Sequence, residues 1–410
     1  MNHQLRAHAD QIIAESIHAV QPDAAVRRAL ADAHFPGRIV LVAAGKAAWQ
    51  MAAAAMDALG DRIERGVVCT KYGHAMGELP RCICLEGGHP VPDEGSFRAT
   101  QAALDAVAGL EAEDTVLFLL SGGGSALFEK PLIAPEELQG ITNQLLACGA
   151  GIVEINTIRK RLSAVKGGRF AQLCAPAQVY AIVLSDILGD PLDMIASGPA
   201  CPDSSTCADA LAIAGRYHLT LSDEARALLA VETPKSLNNV TTCITGSVRE
   251  LCRAAADSCR RLGYEPILLT DLLDCEARDA GRFLASILRT HAADGKKLAF
   301  IAGGETVVHL TGHGLGGRNQ ELALAAGVGI AGLAHAALFS VGSDGTDGPT
   351  DAAGGYVDGD TLSALQQHAL SVDDVLRRND AYHALLAVGG LIVIGPTGTN
   401  VNDVAVGLIG

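Results

Sequence analysis

With 410 residues, 49% of them hydrophobic, 4% aromatic and 46 glycines, the chain has the size of two domains and the composition of compact α/β layers, which excludes a disordered polypeptide. Thirty-one Lys and Arg against 46 Asp and Glu give a formal net charge of -15, a field that repels nucleic acid and acidic membranes, so an anionic substrate has to meet a local basic pocket. The 11 cysteines form no CxxC pair and no regular framework, the pattern of reduced thiols in a cytoplasmic protein.

Residues 1–20 carry charges through their apolar positions and predict an amphipathic helix, not the continuous apolar core of a signal peptide. Short β-rich runs then alternate with helical stretches: RIVLVAA before AAWQMAAAAMDAL, RGVVCT, TVLFLL before SGGGSAL, and VYAIVLSD before LGDPLDMIASG. Continuous apolar runs of this kind predict parallel strands buried on both faces and joined by helices, a doubly wound sheet. LSDEARALLAVETPKSLNNV runs from a helical pattern into Pro, Lys, Ser and an Asn pair, a linker that puts a domain boundary near Lys235 and divides 1–235 from 236–410. Beyond it TTCITG, EPILLTD, KLAFIAGG, AALFSVGSDG and GLIVIGPTG predict further strands. Several close on Gly or Asp, at the carboxyl edge where open α/β sheets bind ligands. The stretch from Leu322 to Gly342 holds no Asp, Glu, Lys or Arg, yet its glycines and His335 predict a buried helix, a turn and a short strand, not a membrane span. The tail TGTNVNDVAVGLIG fits either domain.

Several segments carry candidate chemistry. Gly45 and Lys46 end the first strand and open an alanine-rich helix, so the Lys46 amine and free helix N–H groups could face an anion; a surface lysine is the plainer alternative. Ser121, Gly122, Gly123, Gly124 and Ser125 follow an apolar strand, and three glycines let backbone amides approach a phosphate, or form a flexible turn. INTIRKRLSAVKGGRFA concentrates Arg159, Lys160, Arg161, Lys166 and Arg169, with Arg159 and Lys166 seven apart on one helical face, as an anion pocket or a solvated basic face. Asp186 and Asp190 end the strand VYAIVL, where one could act as general base and another hold Mg²⁺ through water, or either could serve as a cap. Glycines before Arg318, Asn319, Gln320 and Glu321 deliver a polar cluster to a helix start, with Arg318 suited to neutralise a transferring phosphoryl group. Ser343, Asp344, Thr346 and Asp347 form a strand-end loop rich in oxygen ligands for Mg²⁺. Gly312, Gly314 and Gly317 match GxGxxG, but from Ala323 to Ser343 no Asp or Glu stands where a dinucleotide fold places its ribose partner.

Through AAGKAA, EGGHPVPDEGS, LSGGGSAL, IRKRLSAVKGGR, LSDILGDPLDMIASGP, GGETVV, GGRNQE, GSDGTDGPTDAAG and TGTNVND, the chain resembles the glycerate 2-kinases with a C-terminal MOFRL domain, some of which carry the name hydroxypyruvate reductase. The resemblance covers nearly the whole chain. It implies a Rossmann-like N-terminal α/β domain, a smaller C-terminal α/β domain, a site in the cleft between them, and Mg²⁺ and ATP for phosphorylating the 2-hydroxyl of D-glycerate. It makes Lys46, Asp186 and Arg318 the catalytic set: Lys46 and Arg318 for charge neutralisation, Asp186 for positioning or deprotonating the hydroxyl. Ser121 to Ser125, Arg159, Lys166 and Asn319 are the expected phosphate or substrate contacts, and Asp190, Asp344 and Asp347 the expected metal ligands. An NAD(P)-dependent hydroxypyruvate reductase and a non-catalytic sugar-acid sensor are the rival readings. Oligomeric state stays open at this level, a homodimer among the options.

Overall fold

The computed structural model describes residues 1–410, which pack as two compact units: residues 25–185 with 190–245, and residues 1–24 with 186–189 and 246–410. Each unit holds its own six-stranded sheet.

In the first unit the strands are β1 (Ile39–Ala44), β2 (Ile63–Lys71), β3 (Cys82–Gly87), β4 (Thr115–Leu120), β5 (Gln178–Leu184) and β6 (Val240–Gly246), ordered β3-β2-β1-β4-β5-β6. β1 runs parallel to β2 and β4, β2 to β3, and β4 to β5, and every residue of β1 and β4 is buried, as their unbroken apolar runs predict. The strand order turns back between β1 and β4, so the loops leaving these two strands share the switch point where α/β sheets bind ligands. β3 has no place among the predicted strands: it is an edge strand with one buried residue, and its apolar run, Cys82 to Leu85, is short.

The second unit holds β7 (Glu265–Leu273), β8 (Leu298–Gly304), β9 (Ala336–Gly342), β10 (Gly354–Asp358), β11 (Leu391–Ile392) and β12 (Asp403–Ile409), ordered β11-β10-β9-β12-β8-β7. The tail is therefore the centre of this sheet, since β12 runs antiparallel to both β8 and β9 and all its residues are buried. Alternation along β12 fills both faces. Val404, Val406 and Leu408 join the core under the helices His3–Ala19 and Val248–Arg261, while Ala405 and Ile409 join the core under Ala277–His291 and Arg318–Gly329. The charge-free stretch forms the end of the helix Arg318–Gly329 and then β9, and no helix is long and apolar enough to cross a membrane.

Packing does not follow a single cut at Lys235. The first sheet continues through β6 to Gly246, and the N-terminal helix packs Leu5, Ile12 and Ile17 with Leu251, Cys252 and Cys259 of the second unit. That pairing spans more than half the chain, and no local pattern announces it.

Candidate active site

At the switch point of the first sheet the two loops are joined by hydrogen bonds. Lys46 N–H donates to the Gly122 carbonyl at 2.9 Å, and Ala47 N–H donates to Ser121 Oγ at 3.1 Å. The approach requires glycine at 45: φ is 123°, and a Cβ there would lie 2.3 Å from Ser121 Oγ. No side chain caps the alanine-rich helix Ala48–Leu59 that follows. Gly123 has φ 86°, and a Cβ on it would sit 3.0 Å from the His89 ring and 3.2 Å from Lys46 Cγ, so the bare glycine keeps open a spot lined by both side chains. His89 escaped the sequence reading as a site residue, although it stands within EGGHPVPDEGS; a histidine in a Gly- and Pro-rich loop has no spacing that marks it.

Behind the glycines, Gly124 opens a single helical turn to Leu127, and Ser125 Oγ lies 3.3 Å from Ser197 Oγ. Arg159 and Lys166 converge here, but not on a shared helix face, because the helix Ile152–Arg161 ends first. Lys166 is fully buried and donates to the carbonyls of Ser125 at 2.7 Å and Phe128 at 3.2 Å, with the Glu129 carboxylate 3.2 Å away. Arg159 donates to the Ser125 carbonyl at 2.9 Å and lies 3.6 Å from the same Glu129. Burial pushes the Lys166 amine down to about 8, against the pull of Glu129 and with the push of Arg159. Two carbonyl bonds and the Glu129 ion pair hold the fully buried Lys166 as a brace of the serine-glycine turn. Lys160 and Arg161 are likewise buried and neutralised, Lys160 by Asp193 and Asp203, Arg161 by Asp203 and Glu232. The basic segment is an internal ion-pair network and not a solvated face.

Asp186 lies half-buried two residues past β5, where a polar group was expected at the strand's carboxyl end. Asp190 has φ 51° and a buried Oδ1 without a hydrogen-bond partner.

The second unit gathers its polar residues at one end of its sheet. Asp403, the first residue of β12, pairs in register with Gly304 at the end of β8 and Gly342 at the end of β9, so the loops after both strands meet the start of the central strand. A pocket of about 760 Å³ opens there, within the usual size of small-ligand sites, lined among others by Glu305, Leu310, Arg318, Asp344, Asp347 and Asn379. Arg318 begins its helix and is gripped on two sides. Nε and Nη2 donate to the two oxygens of Asp403 at 2.5 and 3.1 Å, and Nη1 donates to Glu305 at 2.9 Å. Burial alone would weaken its charge, but the Asp403 bonds and the neighbouring carboxylates outweigh it and hold the guanidinium firmly protonated.

Asp347 and Asn319 turn inward. The Asp347 carboxylate accepts from Asn319 N–H at 3.1 Å and Gln320 N–H at 2.9 Å, which caps the helix that Gly317 cannot cap. Burial pushes this carboxyl up to about 7, partly offset by those two N–H groups. Asn319 accepts from Ser340 Oγ at 2.6 Å and is 1% exposed, which leaves it no face for a substrate. Asp344 lines the pocket, and its bonds from Thr346 N–H and Oγ1 both fall on Oδ1. The three carboxylates expected as metal ligands do not form one cluster: no group of three or more His, Cys, Asp or Glu is arranged to hold a metal ion.

The GxGxxG match has a structural explanation. A Cβ on Gly312 or Gly314 would lie 2.3 or 2.6 Å from the Arg378 carbonyl oxygen, so these glycines let the loop pack against the segment 378–380. The loop runs from 305 to 317 between β8 and its helix, far from the immediate strand-turn-helix of a dinucleotide site.

Comparison with known proteins agrees along the whole length. A domain of unknown function, DUF4147, matches residues 8–230, and the MOFRL family matches residues 298–403. The chain is 51% identical to the D-glycerate 2-kinase of Thermotoga maritima over 99% of this chain and 98% of that one, and 39% identical to the glycerate 2-kinase of Pyrococcus horikoshii over 97% and 96%. The crystal structure of a Thermotoga maritima glycerate kinase superposes with a TM-score of 0.94 at 50% identity, covering 99% of this chain and 100% of that one. The chain belongs to the glycerate 2-kinase family, with a DUF4147 domain followed by a MOFRL domain.

Proposed function

We propose that the chain is a glycerate 2-kinase that transfers the γ-phosphoryl group of ATP, with Mg²⁺, to the 2-hydroxyl of D-glycerate. The observation that carries this reading is the 51% identity to a D-glycerate 2-kinase over 99% of the chain. In the step, the hydroxyl oxygen bonds to the γ-phosphorus, the bond to ADP breaks, and the hydroxyl proton passes to Asp186. Lys46 and Arg318 offset negative charge on the phosphoryl group as it moves, which suits a reaction whose catalysis is mostly positioning and electrostatics. Ser121 and the glycines after it offer backbone and hydroxyl groups to an oxyanion; Arg159 and Lys166 support that turn from behind.

For Mg²⁺, Asp344 fits best: it lines the pocket, and its Oδ2 is not taken by the Thr346 bonds. One or two carboxylates suffice when phosphates supply the other oxygens, so a three-carboxylate cluster is not needed. Asp190, with its unpartnered Oδ1, is a second candidate. The bound cation would neutralise phosphate charge. The 11 cysteines without a CxxC pair or regular framework support a cytoplasmic enzyme.

The test is direct. Purified protein is given D-glycerate with Mg-ATP and, separately, hydroxypyruvate with NADH or NADPH. Glycerate-dependent ADP with 2-phosphoglycerate is the expected result. Nicotinamide oxidation without ADP would replace it with the reductase, and ligand binding without turnover with the sensor.

A further inference from the structure

Two sequence segments, GGETVV and TGTNVND, carry the family resemblance but no assigned role, and the fold brings one carboxylate of each to Arg318. The two grips differ. Asp403 has a side chain 9% exposed, holds Nε and Nη2 with both oxygens, and stands at the head of the central strand outside the pocket lining. Glu305 is 47% exposed, holds Nη1 through one oxygen at 2.9 Å, and lines the pocket together with Arg318. A bidentate, desolvated carboxylate fixes the guanidinium plane, whereas a half-exposed single contact contributes little and exchanges readily.

We propose that Asp403 is the positioning residue of Arg318 and that Glu305 is an exchangeable internal counter-anion, which leaves Nη1 when an oxyanion of the ligand enters the pocket. Glu305 thus keeps the arginine compensated before binding and sets a threshold that a weakly held anion does not pass. The displacing group is a phosphoryl or carboxylate oxyanion; both have the geometry that Nη1 recognises.

Calorimetric titration with inorganic phosphate compares the wild type with Glu305→Gln. Removing one exposed competitor should tighten phosphate by about two- to fivefold. Equal or weaker binding by Glu305→Gln overturns the exchange, because a merely structural contact gives no reason for a gain. This arm does not depend on the kinase reading. The kinetic arm does, and it begins with wild-type turnover of D-glycerate, so a failed activity is seen before any variant is judged. In that arm, whichever KM falls in Glu305→Gln, for ATP or for D-glycerate, identifies the oxyanion. Asp403→Asn should lower kcat by roughly 10- to 100-fold with a smaller change in KM, as expected when a charge is kept but its placement is lost. Asp403→Glu keeps the carboxylate and shifts its reach, a second variant should the first not fold. A folded variant of either kind with the kcat of the wild type overturns the positioning role.

Discussion

Gly45→Ala tests whether the first site depends on how closely β1 and β4 release their loops. The added Cβ would meet Ser121 Oγ at 2.3 Å and the Ser121 carbonyl oxygen at 2.5 Å, and the residue would have to hold φ 123°. Backbone strain of that kind costs roughly 1–3 kcal/mol in a non-glycine residue. Relieving the overlap by parting the loops gives up the bonds from Lys46 N–H to Gly122 and from Ala47 N–H to Ser121, at about 1 kcal/mol each. The expected loss is therefore about 3–5 kcal/mol in denaturant unfolding. Lys46 and the serine-glycine turn would also move apart, and a misplacement near 1 Å costs on the order of 100-fold in kcat. Gly60→Ala is the control, with φ 55°, ψ -127° and nothing within 4 Å of its Cβ, and should show the backbone strain alone, about 1–3 kcal/mol, with turnover unaffected. Stability within 1 kcal/mol of the wild type together with full turnover in Gly45→Ala would falsify the account of this loop junction.

Lys166→Met leaves the buried Glu129 with Arg159 alone, at 3.6 Å, and should cost about 3–5 kcal/mol by urea unfolding; adding Glu129→Leu should restore more than half of it, and a non-recovering double variant would point to packing instead. Asp347 gives a pH signature. Its carboxyl, raised from 3.8 to about 7, keeps its proton in the folded state after the unfolded chain has lost it, so its contribution is fully present below pH 4 and drains away as pH rises to about 7. Between those limits the wild type should lose about 1.4 kcal/mol per pH unit relative to Asp347→Asn, and parallel urea profiles from pH 5 to 8 would remove the claim. Arg318→Ala should lower kcat by roughly 10² to 10⁴ with a smaller effect on the KM of glycerate, and a near-normal rate would end its transition-state role. Asp186→Asn should keep the fold, by circular dichroism, and lose nearly all turnover; retained turnover would make Asp186 a structural residue.

What the sequence made legible was whatever local pattern carries. The unbroken apolar runs of β1, β4 and β9 announce interior strands, and the residue types after them announce strand-end loops. β10 is equally buried but begins with Gly354 and Gly355, and reads as part of a loop. The glycines are there because a Cβ at 354 would lie 1.9 Å from the Ser340 carbonyl oxygen, a neighbour known only once β9 is in place. β12 illustrates the same limit from the other side: by sequence the tail fits either domain, and only its partners make it the central strand of the second sheet.

The site residues divide along the same line. Position in a loop could be read for Lys46, Ser121 and Arg318, because strand ends and helix starts are local features. Whether a charged group is free for a ligand could not, because its compensating partner is distant in sequence. Lys166 meets a carboxylate 37 positions earlier, Asn319 and Gln320 meet Asp347 28 and 27 positions later, and Arg318 meets Asp403 85 positions later. A basic cluster in an acidic chain therefore supports two opposite conclusions, substrate site or internal brace, until the fold supplies the counter-charges. Arg318 combines both cases: Asp403 compensates it from the buried side while Glu305, on the pocket side, can be exchanged. Arg161 is also held by one buried and one half-exposed carboxylate, but its own side chain is fully buried, whereas Arg318 is 33% exposed in the wall of a pocket; it is the unequal grip on a reachable guanidinium that marks Arg318 off from the buried braces.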